Sequence, residues 1–237
     1  MKLTVLGNNG PYPAAGGACS GYLLSSDSKH TNVLIECGCG TLANLSRHIA
    51  WDKLDAVILS HLHFDHMSDM LPMQYALQFH PRTSALPVYA PETPANVRAL
   101  LQVPAYALHP MTEVQIGEIR FSFAPARHPV ESFALRAECD GRVFAYTGDT
   151  NTLSGLESFL MNADVLLADA GLSLEDWKES SPHLSASGCA QLAESANAKR
   201  LLLTHLNPRY SYEQLEAEAQ AIRPDARFVR IGDIWEI

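Results

Sequence analysis

Long hydrophobic runs are missing from this sequence, although 47% of its 237 residues are hydrophobic. No window approaches the roughly 18 consecutive apolar residues that indicate a membrane-spanning helix. The N-terminal segment also reaches Gly7 before the apolar core of a signal peptide could form. We therefore expect no membrane span and a cytoplasmic location.

Cysteines and cations are also scarce. The five cysteines are an odd number scattered along the chain, which argues against a disulfide framework and is consistent with a reducing compartment. The 26 acidic residues outnumber the 17 basic ones, so the formal net charge is -9. A field of this sign repels polyanions unless bound cations reverse it locally. A large nucleic acid is therefore a disfavoured partner.

Short apolar runs, turn residues and helical patterns alternate along the chain. The predicted strands are Leu3–Leu6, Gly21–Leu24, Val33–Ile35, Ala56–Leu59, Pro87–Tyr89, Ile119–Phe123, Phe133–Ala137, Val143–Tyr146, Val165–Leu167, Leu201–Leu203 and Phe228–Ile231. Helices are predicted after Thr41, over 68–80, near 152–161, from Ser185 to Ala196 and from Tyr212 to Ile222. Because strands precede helices twice, two sheets packed face to face with helices outside are favoured, in one α/β domain spanning residues 1–237.

The densest chemical feature is a six-residue cluster with three imidazoles and one carboxylate. It consists of His61, His63, Asp65 and His66, directly after a predicted buried strand. The intervening Leu62 and Phe64 are apolar, and we expect both to point into the core. Zinc binds nitrogen and carboxylate oxygen ligands in this combination, and loops at strand ends present such ligands on a rigid frame. A metal site is therefore predicted here.

Further ligands are expected where other predicted strands end. His128, Asp149 and His205 each follow an apolar strand, and Gly148 allows close approach of the backbone to a metal. Taken singly, Asp149 could instead cap a helix and His128 could be an ordinary loop residue. With the cluster they give seven ligands, enough for two metal ions that share one carboxylate.

Other candidate residues have less support from the sequence. His183 stands just before a helix that Ser185 could cap, and it is a candidate proton donor. Arg127 and Arg209 adjoin the ligand segments and could pair with an anionic substrate, although a solvated arginine is the default interpretation. Cys37-Gly38-Cys39 is interpreted as a glycine turn, since one C-x-C pair is a weak metal motif. The histidines assigned no function are His30, His48, His80 and His109, in loops or on the surface.

The cluster, followed in order by His128, Thr147-Gly148-Asp149-Thr150 and His205, resembles the metallo-β-lactamase superfamily over nearly the whole chain. Segments that are similar to its ribonuclease Z branch include Ser20–Leu24, His183–Ala186 and Thr204–Tyr210. The resemblance implies a four-layer αβ/βα sandwich of two mixed β-sheets flanked by helices, with metals at the edge between the sheets. It implies one metal on His61, His63 and His128, the other on Asp65, His66 and His205, and Asp149 as the bridge. His183 matches the branch's catalytic histidine.

One departure from that branch bears on the substrate. Ribonuclease Z carries a tRNA-binding arm between the positions that match His128 and Asp149, and here those residues are only 21 positions apart. The space suffices for two short strands, so tRNA 3′ processing is disfavoured. We expect a phosphodiesterase with a small anionic substrate. Hydrolysis of a carboxylic ester, lactone, thioester or sulfate ester is the alternative, and a mono-iron sulfur-oxidising enzyme and a non-catalytic binding module rank lower.

The expected mechanism needs two divalent ions, zinc by preference and manganese as the alternative, which generate a bridging hydroxide that attacks phosphorus. Asp65 would orient this hydroxide, His183 would protonate the leaving alkoxide, and Arg209 would neutralise a phosphate oxygen. The branch often forms dimers, and the helix around Tyr75 and Phe79 offers a surface for a homodimer.

Overall fold

Two seven-stranded sheets form the centre of the protein in a computed structural model that describes residues 1–26, 30–80 and 82–237. The first sheet comprises, in spatial order, β14 (Ile234–Glu236), β1 (Lys2–Gly7), β2 (Gly21–Ser25), β3 (Asn32–Ile35), β4 (Ala56–Ile58), β5 (Leu86–Tyr89) and β6 (Tyr106–His109). The second comprises β13 (Arg227–Phe228), β12 (Leu201–Thr204), β11 (Val165–Asp169), β10 (Arg142–Tyr146), β9 (Phe133–Cys139), β8 (Ile119–Pro125) and β7 (Val114–Ile116).

Each sheet is antiparallel in one half and parallel in the other. In the first sheet β14, β1, β2 and β3 pair antiparallel, and β3 to β6 pair parallel. In the second, β7 to β10 are antiparallel and β10 to β13 are parallel. Both sheets are therefore mixed, as the resemblance implied.

Helices cover the outer face of each sheet. They are α1 (Thr41–Leu45), α2 (Phe64–Met67), α3 (Met70–Phe79), α4 (Ala95–Arg98), α5 (Leu156–Phe159), α6 (Ala186–Ser195) and α7 (Tyr212–Gln220), with 3-10 turns at Trp51–Lys53 and Ala99–Leu101. Within the described part of the chain, no helix is long and apolar enough to cross a membrane.

Three layers of apolar side chains hold these elements together, and strand alternation decides which layer a residue joins. In β11, Val165 and Leu167 pack between the two sheets, whereas Leu166 points outward beneath the helices. In β1, Val5 faces the same central core and Leu6 faces the outer core under α1 and α3. The four-layer sandwich predicted from the resemblance is confirmed.

Several boundaries differ from the sequence prediction. Tyr106–His109 is a strand, so the interpretation of His109 as a loop residue is wrong; the segment lies at the sheet edge, where only Tyr106 is buried. The helix expected near 152–161 is only α5, which follows Gly155 with a φ of 91°. The predicted strand Phe228–Ile231 ends early because the Arg230 N–H donates to the Asp233 carboxylate at 2.8 Å.

Candidate metal centre

The predicted ligands meet at one edge of the sandwich because they follow strands that end there. The cluster follows β4, His128 lies between β8 and β9, Asp149 follows β10, and His205 follows β12. His61, His66, Asp149 and His205 are at most 1% exposed. The fold thus brings all seven predicted ligands into two neighbouring groups.

The first group contains three imidazole nitrogens. His63 Nδ1 lies 3.1 Å from His61 Nε2 and 3.0 Å from His128 Nε2. Tetrahedral ligands about 2.0–2.1 Å from zinc are separated by roughly 3.3–3.4 Å. The three nitrogens therefore have nearly the spacing of ligands around a common ion.

The second group combines two imidazoles with two carboxylates. Asp65 Oδ2 lies 3.5 Å from His66 Nε2 and 3.1 Å from His205 Nε2. Asp149 Oδ2 lies 3.2 Å from each of the same two nitrogens and 3.6 Å from His61 Nε2 in the first group. Asp149 is therefore the carboxylate at which the two groups meet.

Unpaired polar atoms indicate that this cluster suits cations. His66 Nε2 and Asp149 Oδ1 are buried without a hydrogen-bond partner among the described residues. Leaving buried polar atoms unsatisfied is costly, and metal coordination would satisfy such atoms. The donor types, their spacing and these two atoms together fit divalent metal ions.

The carboxylates and imidazoles also shift one another's protonation. Burial opposes charge on Asp149, but His205, His66 and His61 outweigh burial and hold the pKa of Asp149 well below its usual range. Burial likewise opposes charge on His205, yet Asp149 and Asp169 raise the pKa of His205 to about 10. The carboxylates are therefore ionised near neutral pH, and a metal ion would have to displace the proton from His205, because a ligand imidazole must be neutral.

Four of the ligand histidines have an oxygen near the ring nitrogen that faces away from the cluster. Hydrogen bonds at this nitrogen fix the tautomer and ring orientation of a metal-binding histidine. His61 and His128 have such hydrogen bonds, whereas the Glu36 and Asp169 carboxylates lie within ion-pair distance of His66 and His205. The pairs are His61 Nδ1 with Ser60 Oγ at 3.0 Å, His66 Nδ1 with Glu36 Oε1 at 3.5 Å, His128 Nδ1 with the Pro182 carbonyl at 3.0 Å, and His205 Nδ1 with Asp169 Oδ1 at 3.4 Å.

Glu36 and Asp169 are site residues that the sequence analysis missed. Both are fully buried, and both carboxylates accept backbone N–H groups, Glu36 from Ser60 at 3.2 Å and Asp169 from Thr150 at 3.1 Å. Each is an acidic residue at the carboxyl end of a buried apolar strand. That signal, which was used for Asp149, could have identified them.

His183 reaches the centre from the loop before α6. Its Nδ1 lies 2.9 Å from Asp169 Oδ2 and 3.7 Å from Asp149 Oδ2. Ser185 caps α6 by accepting the Gly188 N–H, as predicted. Asp149 caps no helix, since the residue before α5 is Gly155.

The two arginines considered for the substrate already have partners. Arg209 forms an ion pair with Asp176 at 3.0 Å and lies over the ring of Tyr210. Arg127 donates to the carbonyls of Thr152 and Glu179 at 3.4 and 3.0 Å. A guanidinium has five N–H groups, so neither arginine is saturated by these contacts.

Three glycine positions explain local features of the centre. Gly148 has a φ of 59°, and a Cβ there would lie 2.6 Å from the Phe133 carbonyl oxygen, so the close approach is to β9. A Cβ at Gly10 would lie 1.9 Å from His205 Nε2, so Gly10 borders the centre directly. A Cβ at Gly38 would likewise clash with the Asp65 carbonyl oxygen. The cysteines that flank Gly38 are free thiols.

Comparison with known proteins agrees with this geometry. A family model described as the beta-lactamase superfamily domain matches residues 31–206. The probable metallo-hydrolase YhfI of Bacillus subtilis is 30% identical over 245 residues, with complete coverage of both chains. The chain belongs to the metallo-β-lactamase superfamily. The family assignment supports a metal-dependent hydrolase and implies that His and Asp clusters bind divalent metal.

Solved structures of this superfamily share the architecture. The crystal structure of YhfI superposes with a TM-score of 0.91 at 30% identity and covers 99% of each chain. Human tRNase Z, short form, superposes with a TM-score of 0.82 at 19% identity and covers 100% of this chain and 99% of its own. At 19% identity the likeness shows the fold alone, and it agrees with the resemblance to ribonuclease Z.

Proposed function

We propose that this chain is a dinuclear metal-dependent phosphodiesterase that acts on a small anionic phosphodiester. The main support for the proposal is the position of Asp149 Oδ2 between the two donor groups. This oxygen lies 3.2 Å from His66 Nε2 and His205 Nε2 in the second group and 3.6 Å from His61 Nε2 in the first. A carboxylate in this position is suited to bridge two cations. Nitrogen-rich donor groups favour zinc, with manganese as the alternative.

The chemistry divides between the cations and the protein. Two bound divalent cations supply Lewis acidity, which lowers the pKa of a water molecule and neutralises charge on phosphoryl oxygens. Asp65, with an oxygen 3.1 Å from His205 Nε2, orients the attacking water and accepts its proton. His183, whose Nδ1 donates to Asp169, has Nε2 available to protonate the leaving alkoxide.

Transfer RNA is not favoured as the substrate. The segment between His128 and Asp149 contains β9, β10 and the two-residue turn Asp140-Gly141. The spacing of 21 positions between His128 and Asp149 predicted a hairpin of this size. In addition, the net charge of -9 opposes binding of a polyanion.

A substrate-class screen combined with metal analysis tests the proposal. The purified protein is loaded with zinc or manganese and assayed on bis-p-nitrophenyl phosphate, an aryl sulfate, an aryl acetate, a thioester and a lactone. We expect two metal equivalents per chain and preferential turnover of the phosphodiester. His205→Ala should reduce both metal content and turnover, whereas the matched control His109→Ala, in β6, should change neither.

The competing functions predict different results in the same screen. Preference for a lactone, carboxylic ester, thioester or sulfate would replace the phosphodiesterase assignment. One iron per chain would favour redox chemistry on sulfur compounds, and a metal-loaded protein that is inert on every ester would favour a binding module.

A further inference from the structure

Two adjoining cavities border the segment that carries His183. The larger measures about 480 Å³ and the smaller about 320 Å³. They share one wall, which consists of Thr152, Leu184, Gly188 and Gln191. Leu184 directly follows His183 in the chain, but within the described residues no predicted metal ligand lines either cavity. The cavities are therefore separate from the metal centre and lie against the loop that reaches it.

The smaller cavity, called the Trp177 cavity below, lies where the loop of residues 172–184 meets α6 and α7. The loop contributes Leu174 and Trp177 to its lining, and α7 contributes Glu218. The Leu174 N–H donates to Glu218 Oε2 at 2.8 Å, and Trp177 Nε1 donates to Asn151 Oδ1 at 3.1 Å. The wall formed by the loop is therefore anchored on α7 and on Asn151, so the cavity is preformed.

Apolar side chains from three segments line the Trp177 cavity. Leu174 is 57% exposed and Ile222 is 38% exposed, and Trp177, Leu184 and Ala221 lie beside them. A molecule in the cavity would remove part of this apolar surface from water, which favours binding. Small-molecule sites have volumes of roughly 300–1,000 Å³, so a cavity at the lower end of this range suits a small ligand.

Charge narrows the class of ligand. Among the described residues that line the Trp177 cavity, Glu218 is the one charged side chain, and Glu157 is its counterpart in the larger cavity. The described lining residues of both cavities include no lysine or arginine. An anion would meet a carboxylate that no cation offsets, whereas an ammonium group pairs with a carboxylate and is attracted to the face of an indole ring. The lining is thus complementary to an organic cation.

We infer that the Trp177 cavity binds a small organic ammonium ion with an aromatic or alkyl body. Glu218 pairs with the ammonium group, and Trp177, Leu184 and Ile222 cover the body. Such a ligand contacts the loop and α7 together, so it stabilises the loop in the arrangement that presents His183. The site does not depend on which reaction the metal centre catalyses.

Calorimetry on the zinc-loaded protein tests the ligand class. Phenethylamine and 2-phenylethanol have nearly the same size and shape and differ in the ammonium group. Benzyltrimethylammonium also carries a positive charge but has no nitrogen lone pair that could coordinate a metal. We expect both cations to bind about tenfold more tightly than the alcohol, since an ion pair and a cation–π contact act together. Equal binding of the three probes, or binding of none of them, would overturn the inference.

Matched variants test whether the probes bind at Glu218 and Trp177. Glu218→Gln keeps an oxygen for the Leu174 N–H but removes the charge, so the preference for cations should disappear. Glu213→Gln removes the same charge from the exposed first turn of α7 and should leave the preference intact. Trp177→Phe and Trp177→Leu both lose the hydrogen bond to Asn151, but only the leucine variant lacks a ring. It should bind the cations about threefold more weakly than the phenylalanine variant. An undiminished cation preference in Glu218→Gln would show that the probes bind elsewhere and would reject the site.

Hydrogen exchange tests the effect on the loop. Saturating phenethylamine should slow amide exchange in residues 172–184 of the wild type, but not in Glu218→Gln at the same concentration. Amides of α1, in the other half of the chain, are the internal control and should not change. Unchanged exchange in the loop of the amine-bound wild type would refute the link between the cavity and His183. Neither measurement involves turnover, so failure of the proposed function in the substrate-class screen would leave both results valid.

Discussion

His183 and Asp169 form a buried pair at the edge of the metal centre, with Nδ1 2.9 Å from Oδ2. The carboxylate accepts the Nδ1 proton, which fixes the ring and leaves Nε2, on the side of the ring away from Asp169, to carry the proton that is donated. Asp169→Asn keeps the side-chain volume, but its amide N–H can donate to His183 Nδ1 and so stabilise the wrong imidazole tautomer. We expect kcat at saturating metal to fall by about 10²-fold or more, and metal affinity to fall as well because Asp169 Oδ1 also lies 3.4 Å from His205 Nδ1.

The comparison variant for this pair is His183→Ala, assayed on bis-p-nitrophenyl phosphate with metal content measured in parallel. If the two residues act as a unit, the double variant should be no slower than His183→Ala alone. Two outcomes would show that Asp169 does not act through His183. One is full activity of Asp169→Asn, and the other is an Asp169→Asn effect that persists unchanged in the His183→Ala background.

The sequence predicted the fold well because strand periodicity and chain order carry most of the required information. Strands such as Val165–Leu167 alternate between two cores, and the histidine cluster directly after β4 indicates a loop at a strand end. Edge strands were missed because they bury little apolar side-chain surface. In β14, Ile234 is exposed and Trp235 is only half-buried. Boundaries such as the end of β13 depend on a side-chain contact, here between the Asp233 carboxylate and the Arg230 N–H. No local sequence pattern predicts such a contact.

The site was predicted less completely than the fold. The seven candidate ligands share a recognisable residue type and position, and their roles as ligands stay predictions until metal is measured. Glu36 and Asp169 were missed although each stands at the carboxyl end of a buried apolar strand. The histidines that they contact lie far away in the sequence, 30 residues for His66 and 36 for His205, so their function at the site depends on folding. The expectation that Phe64 points into the core is wrong, since its side chain is 62% exposed. The alternation of buried and exposed residues in a strand had been extended into a helix.

Glu36 should control metal affinity without binding the metal. Its Oε1 lies 3.5 Å from His66 Nδ1, on the side of the ring opposite the donor group. Glu36→Gln should weaken metal binding about 10- to 100-fold, since contacts to ligand histidines orient them and raise their basicity. A chelator competition titration measures this change. Glu138→Gln, on β9 beside Arg136, is the control, and equal affinities for the two variants would refute the prediction.

Gly10→Ala should disrupt the second donor group sterically. The added methyl group would lie 1.9 Å from His205 Nε2, so either the imidazole or the 8–10 segment must move. We expect loss of metal from this group and reduced thermal stability. Gly16→Ala is the comparison, because its Cβ meets nothing within 4 Å and carries only the backbone strain of a φ of 72°. Equal metal content in the two variants would contradict a steric effect at His205.

Asp164 should make stability depend on acidic pH. Partial burial raises its pKa, but the Lys199 ammonium at 2.8 Å, the Val143 N–H and the Arg142 guanidinium outweigh burial and hold the pKa below its usual value. The stabilisation is therefore present above the unfolded pKa of about 4 and is lost as the pH falls through the lower folded pKa.

Urea unfolding at several pH values measures this contribution. Asp164→Asn should cost about 1 kcal/mol at pH 7, the scale of a partly exposed ion pair with a backbone contact. The difference from the wild type should shrink as the pH falls below about 4. Asp52→Asn removes an exposed carboxylate beside Lys53 and should change nothing. A stability difference that stays constant from pH 7 to pH 2 would exclude titration of Asp164 as its cause.

Asn151 holds the loop that delivers His183. Its Nδ2 donates to three carbonyls within residues 178–181, at 2.7 to 3.2 Å, and the next residue, Pro182, contributes the carbonyl beside His128 Nδ1. Asn151→Ala should therefore lower kcat about tenfold or more by loosening both histidines, and should speed hydrogen exchange in this loop. Asn197→Ala, at a surface contact with Asn162, is the control. Faster exchange with unchanged kcat would show that loop order does not position His183.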